Sequence, residues 1–463
     1  MRRFFVSVHV CLGALYSVGC GGGSGDGPAE VEAFPDPIAN VPVEPEGEDS
    51  VPSPSELPDQ GEGNVSPRGL DDGSDEPVPA PAGDGLLING TCVAVCASAA
   101  TDADANGVTD GWGWEDEASC LVAGSAPAAQ GAPCAIQPVI GPPIVPPGGT
   151  SARPEGVDSN GFFVADGRLF DRLGNDFVMR GVNNPLAWFR NRDTGALAWL
   201  DEIAATGANA VRLVWETDVP DTNLLREAIQ RSVELAMVPM VELHDVTGGR
   251  DIDDPARMAR YYTENEAVRA ILIDYEPFLL VNIANEWDGA NDIYVEAYTR
   301  AIDTLRDAGI NHTLVIDANG YGQSANTVIT QGQTLLGVDP QHNLMFSTHM
   351  YQNFRNAETI VDTLERAAEA QIPFMVGEFG FQHGEDNQGN PIPIPFEVLL
   401  AEAERHGFGY LAWSWTGNGS PVEYLDLTAR SGSVDQLSGW GDDIINGPNG
   451  IRATSQISSI FLE

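Results

Sequence analysis

Positive charge is what this chain has least of: Lys and Arg together number 23 against 68 Asp and Glu, for a formal net charge of −45. A phosphate-rich partner requires concentrated positive charge, so nucleic acid is disfavoured as a ligand, and anionic membrane surfaces with it. Long apolar runs are also missing. Beyond Phe4 to Val18, no stretch approaches the roughly 20 apolar residues needed to cross a bilayer. No glycine-rich phosphate fingerprint follows any candidate strand, which argues against an open, doubly wound nucleotide-binding sheet. Cysteine is scarce, six in 463 residues, and four of the six crowd into one short segment.

The chain divides into five parts. Residues 1–20 read as an export address, with Met1-Arg2-Arg3 followed by an apolar stretch too short for a spanning helix. Cys20 follows Ser17-Val18-Gly19, similar to a bacterial lipoprotein signal in which that Cys becomes the lipidated first residue; simple cleavage nearby is the other reading. Either places the protein outside the cytoplasm, on the cell surface or secreted. Residues 21–85 are Gly, Pro, Ser, Asp and Glu with little beyond Phe34 to bury, and read as a solvated, self-repelling tether. Residues 136–160, built around GPPIVPPGG, form a second linker.

Between the linkers, residues 86–135 hold Cys92, Cys96, Cys120 and Cys134. Four cysteines in a short exported segment imply two disulfides, in any of three connectivities, stapling a core too small to hold itself. Just inside it, Asp102, Asp104, Asn106 and Asp110 alternate oxygen ligands with a turn glycine. That suits the first half of a calcium loop and equally suits ordinary turn chemistry.

Residues 161–463 alternate apolar strands with amphipathic stretches. Strands are expected at Phe177–Asn183, Ala210–Val214, Val238–His244, Leu279–Asn285, Thr313–Asp317, Leu344–His349, Phe374–Glu378 and Tyr410–Trp415. Helices are expected at Leu224–Ala236, Ile293–Ala308 and Ala357–Ala370 among others. Eight alternations over a length close to the ~250 residues of a typical barrel predict an α/β fold, a (β/α)8 TIM barrel. Each strand ends in polar or aromatic chemistry: Asn183, Arg212, His244, Asn285 with Glu286, Asp317, His349 with Tyr351, Glu378, and Trp413 with Trp415. Barrel enzymes keep their active sites at that edge. Glu286 and Glu378, each closing an apolar run, are the minimum apparatus for breaking a glycosidic bond with retention, one as acid/base and one as nucleophile.

The segments MRGVN, VRLV, ELHDVTG, VNIANEW, STHMY, VGEFG and LAWSWTGN resemble glycoside hydrolase family 5, with wording closest to its bacterial endo-β-1,4-mannanase subfamily, subfamily 8. The likeness runs from about Gly161 to the C-terminus. It implies a retaining endo-β-1,4-mannanase acting on mannan, glucomannan or galactomannan, with Glu286 as acid/base and Glu378 as nucleophile. Arg212 and Tyr351 would partner the nucleophile, Asn285 would contact the substrate 2-hydroxyl, His244 and His349 would support the site, and Trp413 would floor the sugar at the cleavage point. Where a His-rich stretch is expected before Trp188, this chain has Asn183-Asn184-Pro185-Leu186-Ala187. The segment Asp110 to Cys120, containing Trp112 and Trp114, resembles carbohydrate-binding module family 10, which implies an aromatic face that stacks on sugar rings, cellulose included. The catalytic reading needs no cofactor, with calcium confined to the small segment; a monomer is expected, meeting a membrane only through a lipid on Cys20. Two other readings stay open: the same barrel as an endo-β-1,4-glucanase, or a non-catalytic polysaccharide-binding lipoprotein.

Overall fold

The computed structural model describes residues 149–462 in full and, between residues 84 and 135, the backbone of five short strands. Those five are Asp84–Ile88, Thr91–Ala94, Trp112–Glu115, Ala118–Leu121 and Ala132–Ala135. The first, second and fifth form an antiparallel sheet; the third pairs with the fourth, setting Trp112 opposite Leu121 and Trp114 opposite Ser119. Of the expected module residues, Trp112, Trp114, Cys92, Cys120 and Cys134 are described in backbone only. Cys20, Cys96 and the candidate calcium ligands Asp102, Asp104, Asn106 and Asp110 lie outside the described residues.

Eight parallel strands close into a barrel: β1 Arg180–Asn184, β2 Ala210–Trp215, β3 Val238–Leu243, β4 Leu280–Asn282, β5 Leu314–Asp317, β6 Leu344–Met350, β7 Phe374–Phe379 and β8 Gly409–Ala412, with β8 returning to pair with β1. The helices outside are α1 Ala196–Ala205, α2 Thr222–Glu234, α3 Asp254–Glu264, α4 Glu266–Tyr275, α5 Tyr294–Asp307, α6 Ala325–Val338, α7 Ala357–Glu369 and α8 Phe396–His406. Each presents an apolar stripe to the sheet. On α2 the stripe is Leu224, Leu225, Ala228 and Ile229, and Asp221 caps the helix by accepting from the Asn223 N–H. Among the described residues, no helix is long and apolar enough to cross a membrane.

Three strand ends differ from expectation by more than one residue. β1 starts at Arg180 because Phe177 gives its N–H to Leu169, in the hairpin of Phe163–Ala165 and Arg168–Phe170, rather than to a barrel neighbour. β4 stops at Asn282, and β8 at Ala412; beyond them Asn285, Trp413 and Trp415 keep single backbone bonds to Leu243, Phe379 and Asn183 while the chain leaves the regular ladder.

The barrel interior is layered. Ala210, Met240, Leu280, Val315, Met345, Met375 and Leu411 fill the lower layer and join Phe162, Val164 and Leu169 from the hairpin region in one apolar cluster. Side chains alternate across a strand, so the next inward residue on each is two positions on. There the character changes to Arg212, Glu242, Asn282, Asp317, Ser347, Gly377 and Trp413.

All 23 Lys/Arg positions are arginine; the chain has no lysine. Many guanidiniums are paired on the surface, as Arg192 is with Asp221 and Glu227, and Arg300 with Asp253 and Glu296. Exposed pairs of this kind contribute about 0–1 kcal/mol each. Arg306 is different: nearly buried, it donates to both oxygens of Asp339 at 2.9 and 2.8 Å and ties α5 to the end of α6. His312, just before β5, is buried with Nε2 against the Leu272 carbonyl at 3.0 Å, and burial pushes its pKa down to about 3.

Candidate active site

Arg212, rising from β2 into the upper layer, is the hub of the barrel mouth. Its guanidinium donates to Glu378 Oε1 at 2.7 Å, Asn183 Oδ1 at 2.9 Å, Asn282 Oδ1 at 2.9 and 3.1 Å, and Asn285 Oδ1 at 2.7 Å. Burial lowers its pKa, but the charges of Glu242 and Glu378 oppose that and the net shift is upward, so it is permanently cationic. A rigid fork meeting one carboxylate and three amide oxygens fixes four strands to one another as well as fixing a charge.

Glu378 sits on β7 with its second oxygen, Oε2, accepting from the Tyr351 hydroxyl at 2.9 Å. The Arg212 guanidinium and the Tyr351 phenol alone would leave it an easily ionised carboxylate. Instead burial dominates and carries its pKa up to about 7 against the pull of Arg212, His244 and the tyrosine. Glu286 lies past the end of β4 in left-handed backbone, φ +47°. Asp317 Oδ2 accepts its N–H at 3.3 Å, and its carbonyl accepts from Gly248 at 3.0 Å, so the neighbouring loops hold this unusual turn. Its Oε1 is 2.7 Å from His349 Nδ1, while Oε2 is buried with no hydrogen-bond partner. Burial first, and then the charge of Glu378, raise its pKa well above the usual carboxyl range.

The two carboxyl groups therefore have opposite surroundings. Glu378 faces a guanidinium and a phenol, while Glu286 faces an imidazole that burial, Arg212 and His244 keep neutral. Oxygens from both lie within 4.8 Å of each other and of a His349 nitrogen. The spacing of these three would suit a metal ion, but Arg212, Tyr351 and His349 already engage three of the four carboxyl oxygens. The arrangement suits a close pair in which one carboxyl keeps its proton and the other loses it.

The remaining expected residues gather around this pair. His244 is 3.0 Å from Glu242 through Nδ1; burial lowers its pKa but Glu242 more than restores it, and the net shift is upward. Asn285 gives Nδ2–H to Thr247 Oγ1 at 2.9 Å, with His244 Nε2 at 3.5 Å. Trp413 donates Nε1–H to Asn418 and stacks on His244 at 5.9 Å; Trp188 stands edge-on to His244 at 5.0 Å. In place of the missing imidazoles near Trp188, its indole N–H finds Glu216 at 2.9 Å.

A comparison by sequence family matches residues 170–419 to the family described as cellulase, glycosyl hydrolase family 5. The chain belongs to glycoside hydrolase family 5. It is 36% identical over 312 residues to a mannan endo-1,4-beta-mannosidase of Salipaludibacillus agaradhaerens, covering 65% of this chain and 96% of that protein. Among solved structures, a beta-mannanase from Thermomonospora fusca superposes with TM-score 0.59 at 35% identity, covering 65% of this chain and 99% of that one. A mannohexaose complex of the Thermomonospora fusca enzyme superposes with TM-score 0.57 at 34% identity, with the same shares covered.

Several family 5 site neighbours of this chain escaped the sequence reading. Glu242, Asn282 and Thr247 were not singled out, and Asp317 was noted only as a strand end. Glu242 had a signal: it precedes His244 by two on the same strand and so shares its inward face. Thr247 had none, because its contact with Asn285 spans two loops.

Proposed function

We propose that this chain is a retaining endo-β-1,4-mannanase in which Glu286 is the acid/base and Glu378 the nucleophile. The close carboxyl pair, with the guanidinium and phenol on Glu378 alone, carries this reading. Glu378, ionised, attacks the anomeric carbon while Glu286 protonates the departing oxygen; Glu286 then draws a proton from the water that releases the glycosyl group. Arg212 and Tyr351 orient the nucleophile, Asn285 contacts the substrate 2-hydroxyl, His244 and His349 support the site, and Trp413 floors the sugar at the point of cleavage with Trp188 beside it. Mannan as substrate is supported by the named activity of the relatives and by the mannohexaose complex of one of them. No cofactor takes part in this reaction.

Hydrolysis of galactomannan, glucomannan and carboxymethylcellulose by the full chain, measured side by side, tests the substrate. Faster cleavage of carboxymethylcellulose would replace mannanase by endoglucanase. NMR of the first released sugar should show the β-anomer; the α-anomer would overturn the retaining assignment.

The N-terminal parts extend the same proposal. Export, lipid attachment at Cys20, a tether and a small stapled segment presenting Trp112 and Trp114 would hold the barrel near insoluble polysaccharide. Retention of the full chain on insoluble mannan or cellulose, lost in a Trp112→Ala/Trp114→Ala variant with unchanged turnover on soluble mannan, is the expected result. The resemblance of that segment to a carbohydrate-binding module is its support.

A further inference from the structure

Behind Glu286 lies a second buried carboxyl that the reaction as written does not use. Asp317, at the end of β5, is fully buried, and its position is over-determined. Tyr294 and Tyr298 of α5 donate to its backbone carbonyl at 2.8 and 3.4 Å, Asn282 donates to Oδ1 at 3.2 Å, and the Glu286 N–H reaches Oδ2 at 3.3 Å. Arg212 Nη2 stands 3.6 Å from Oδ2. On the remaining side is His349, whose Nε2 is 3.4 Å from Oδ2 while its Nδ1 is 2.7 Å from Glu286 Oε1. One imidazole thus stands between two carboxyl groups, and its Nε2 is buried with no hydrogen-bond partner.

We propose that Asp317 holds a proton and, through His349, fixes Glu286 Oε1 as a permanent acceptor, leaving Oε2 as the oxygen that exchanges its proton with the substrate. The proposal rests on Glu286 being the acid/base. Its first support is the charge inventory of this dry layer. Arg212 is matched by Glu378, and a charged His244 by Glu242, so a charge on Asp317 would have no counter-charge of its own. Burial, the largest influence on Asp317, raises its pKa and so favours the neutral acid.

The second support is the hydrogen-bond direction. A neutral imidazole offers one N–H and one lone pair. A proton on Asp317 would supply the donor that the orphaned Nε2 lacks, 3.4 Å away, and with Nδ1–H facing Oε1 each nitrogen would then meet a group of the opposite kind. That remains true after Glu286 has given up its proton. The opposite tautomer, Nε2–H toward an ionised Asp317, works only while Glu286 keeps its proton on Oε1, turned from the substrate; once Glu286 ionised, a lone pair would face a carboxylate. In the first step the Oε2–H bond breaks as an O–H bond forms on the departing sugar oxygen, the C1–O bond to that sugar breaks, and Glu378 bonds C1. In the second, water bonds C1, its proton returns to Oε2 and the bond to Glu378 breaks. The Asp317 and His349 protons stay in place throughout. Asp317 is therefore a positioning residue.

The test uses the full chain labelled with 15N-histidine, the His349 signals being assigned by their loss in His349→Gln. Between pH 6 and 8, His349 should be the neutral Nδ1–H tautomer, both free and after Glu378 is trapped as a 2-deoxy-2-fluoromannosyl ester. An Nε2–H tautomer or a charged ring in either state overturns the proposal, whatever the substrate preference proves to be. Kinetics supply a second arm. Asp317→Ala should lower kcat on mannan on the order of 100-fold, a share of what general acid catalysis contributes. It should cost far less with a dinitrophenyl mannobioside, whose leaving group needs no proton. Equal losses on both substrates would mark Asp317 as merely structural and overturn the proposal; if the variant does not fold, the tautomer of the wild-type ring decides. Failure of the wild-type chain to cleave mannan would count against the proposed activity and leave the tautomer result standing.

Discussion

The lower and upper layers of the barrel interior lie two residues apart on the same strands and follow different rules. In the lower layer, Met240, Leu280, Val315, Met345 and Met375 exclude water by volume, and side chains of similar size are interchangeable. In the upper layer, Arg212, Glu242, Asn282 and Asp317 are equally buried, but each is held by named partners, and none can be exchanged without leaving another unpaired. One layer closes the barrel; the other spends burial on making carboxyl groups reluctant to ionise.

The largest effect that would break this contrast is Arg212→Met, which makes the upper layer resemble the lower. Removing the only fixed cation among Glu378, Glu242 and Asp317 should cost about 3–5 kcal/mol of stability. Turnover should fall on the order of 10²–10³-fold or more, as for loss of a preorganised electrostatic partner. Chemical denaturation and mannan kinetics measure the two; a stable, active Arg212→Met would show that the upper layer is packed rather than wired.

Met345→Ala probes the layer beneath. A buried Met truncated to Ala should cost about 2–5 kcal/mol while kcat per folded molecule stays unchanged, because no partner of the carboxyl pair has moved. A drop in kcat without loss of stability would show the two layers to be coupled.

Two neutral imidazoles sharpen the comparison next. His349 in the upper layer faces the Glu286 carboxyl, whereas His312, below β5, has only a backbone carbonyl. With a folded pKa of about 3 against 6.5 when unfolded, His312 takes up a proton only on unfolding as pH falls through that window. Its contribution to stability is therefore complete above pH 6.5 and is lost as pH falls, by about 2 kcal/mol at pH 5. His312→Gln, which removes the titration, should flatten stability between pH 7 and pH 5 in denaturation curves. An unchanged slope would assign the loss to other groups.

The smallest effect expected is a shift in pH dependence. Glu378 must be ionised to act, so activity should fall as pH drops through about 7, while loss of the Glu286 proton closes the profile at higher pH. The Tyr351 hydroxyl lowers the Glu378 pKa, so Tyr351→Phe should move the acid limb upward by about one pH unit. A limb that stayed in place or moved down would remove the tyrosine from control of the nucleophile.

Both layers left traces in the sequence, though of unequal strength. Strands buried on both faces read as apolar runs, and the eightfold alternation with helices predicted the barrel. The glutamates stood out because polar residues interrupt such runs at one end. Strand lengths were less legible: Glu286 reaches the mouth only because the chain leaves β4 after Asn282 and adopts φ +47°, which no periodicity announces. Nor could Asn282 be told from an ordinary strand residue, since its role is to accept two hydrogen bonds from Arg212, 70 positions away. The direction of the Glu378 shift is illegible in the sequence for a related reason. A charged neighbour can be guessed from a motif, but the depth of burial that outweighs it belongs to the closed fold.

The arginine-only cation set has one more consequence, for chemistry at the products rather than at the bond. Hydrolysis of a polysaccharide leaves reducing ends that open to aldehydes, and aldehydes condense with lysine ε-amines. A chain without lysine offers no side-chain amine to such adducts, so accumulated sugars cannot build them along its surface. The same feature means that amine-directed dyes, crosslinkers and aldehyde supports will find no side chain to grip, and coupling through carboxyl groups is the practical route for attaching this protein to a matrix.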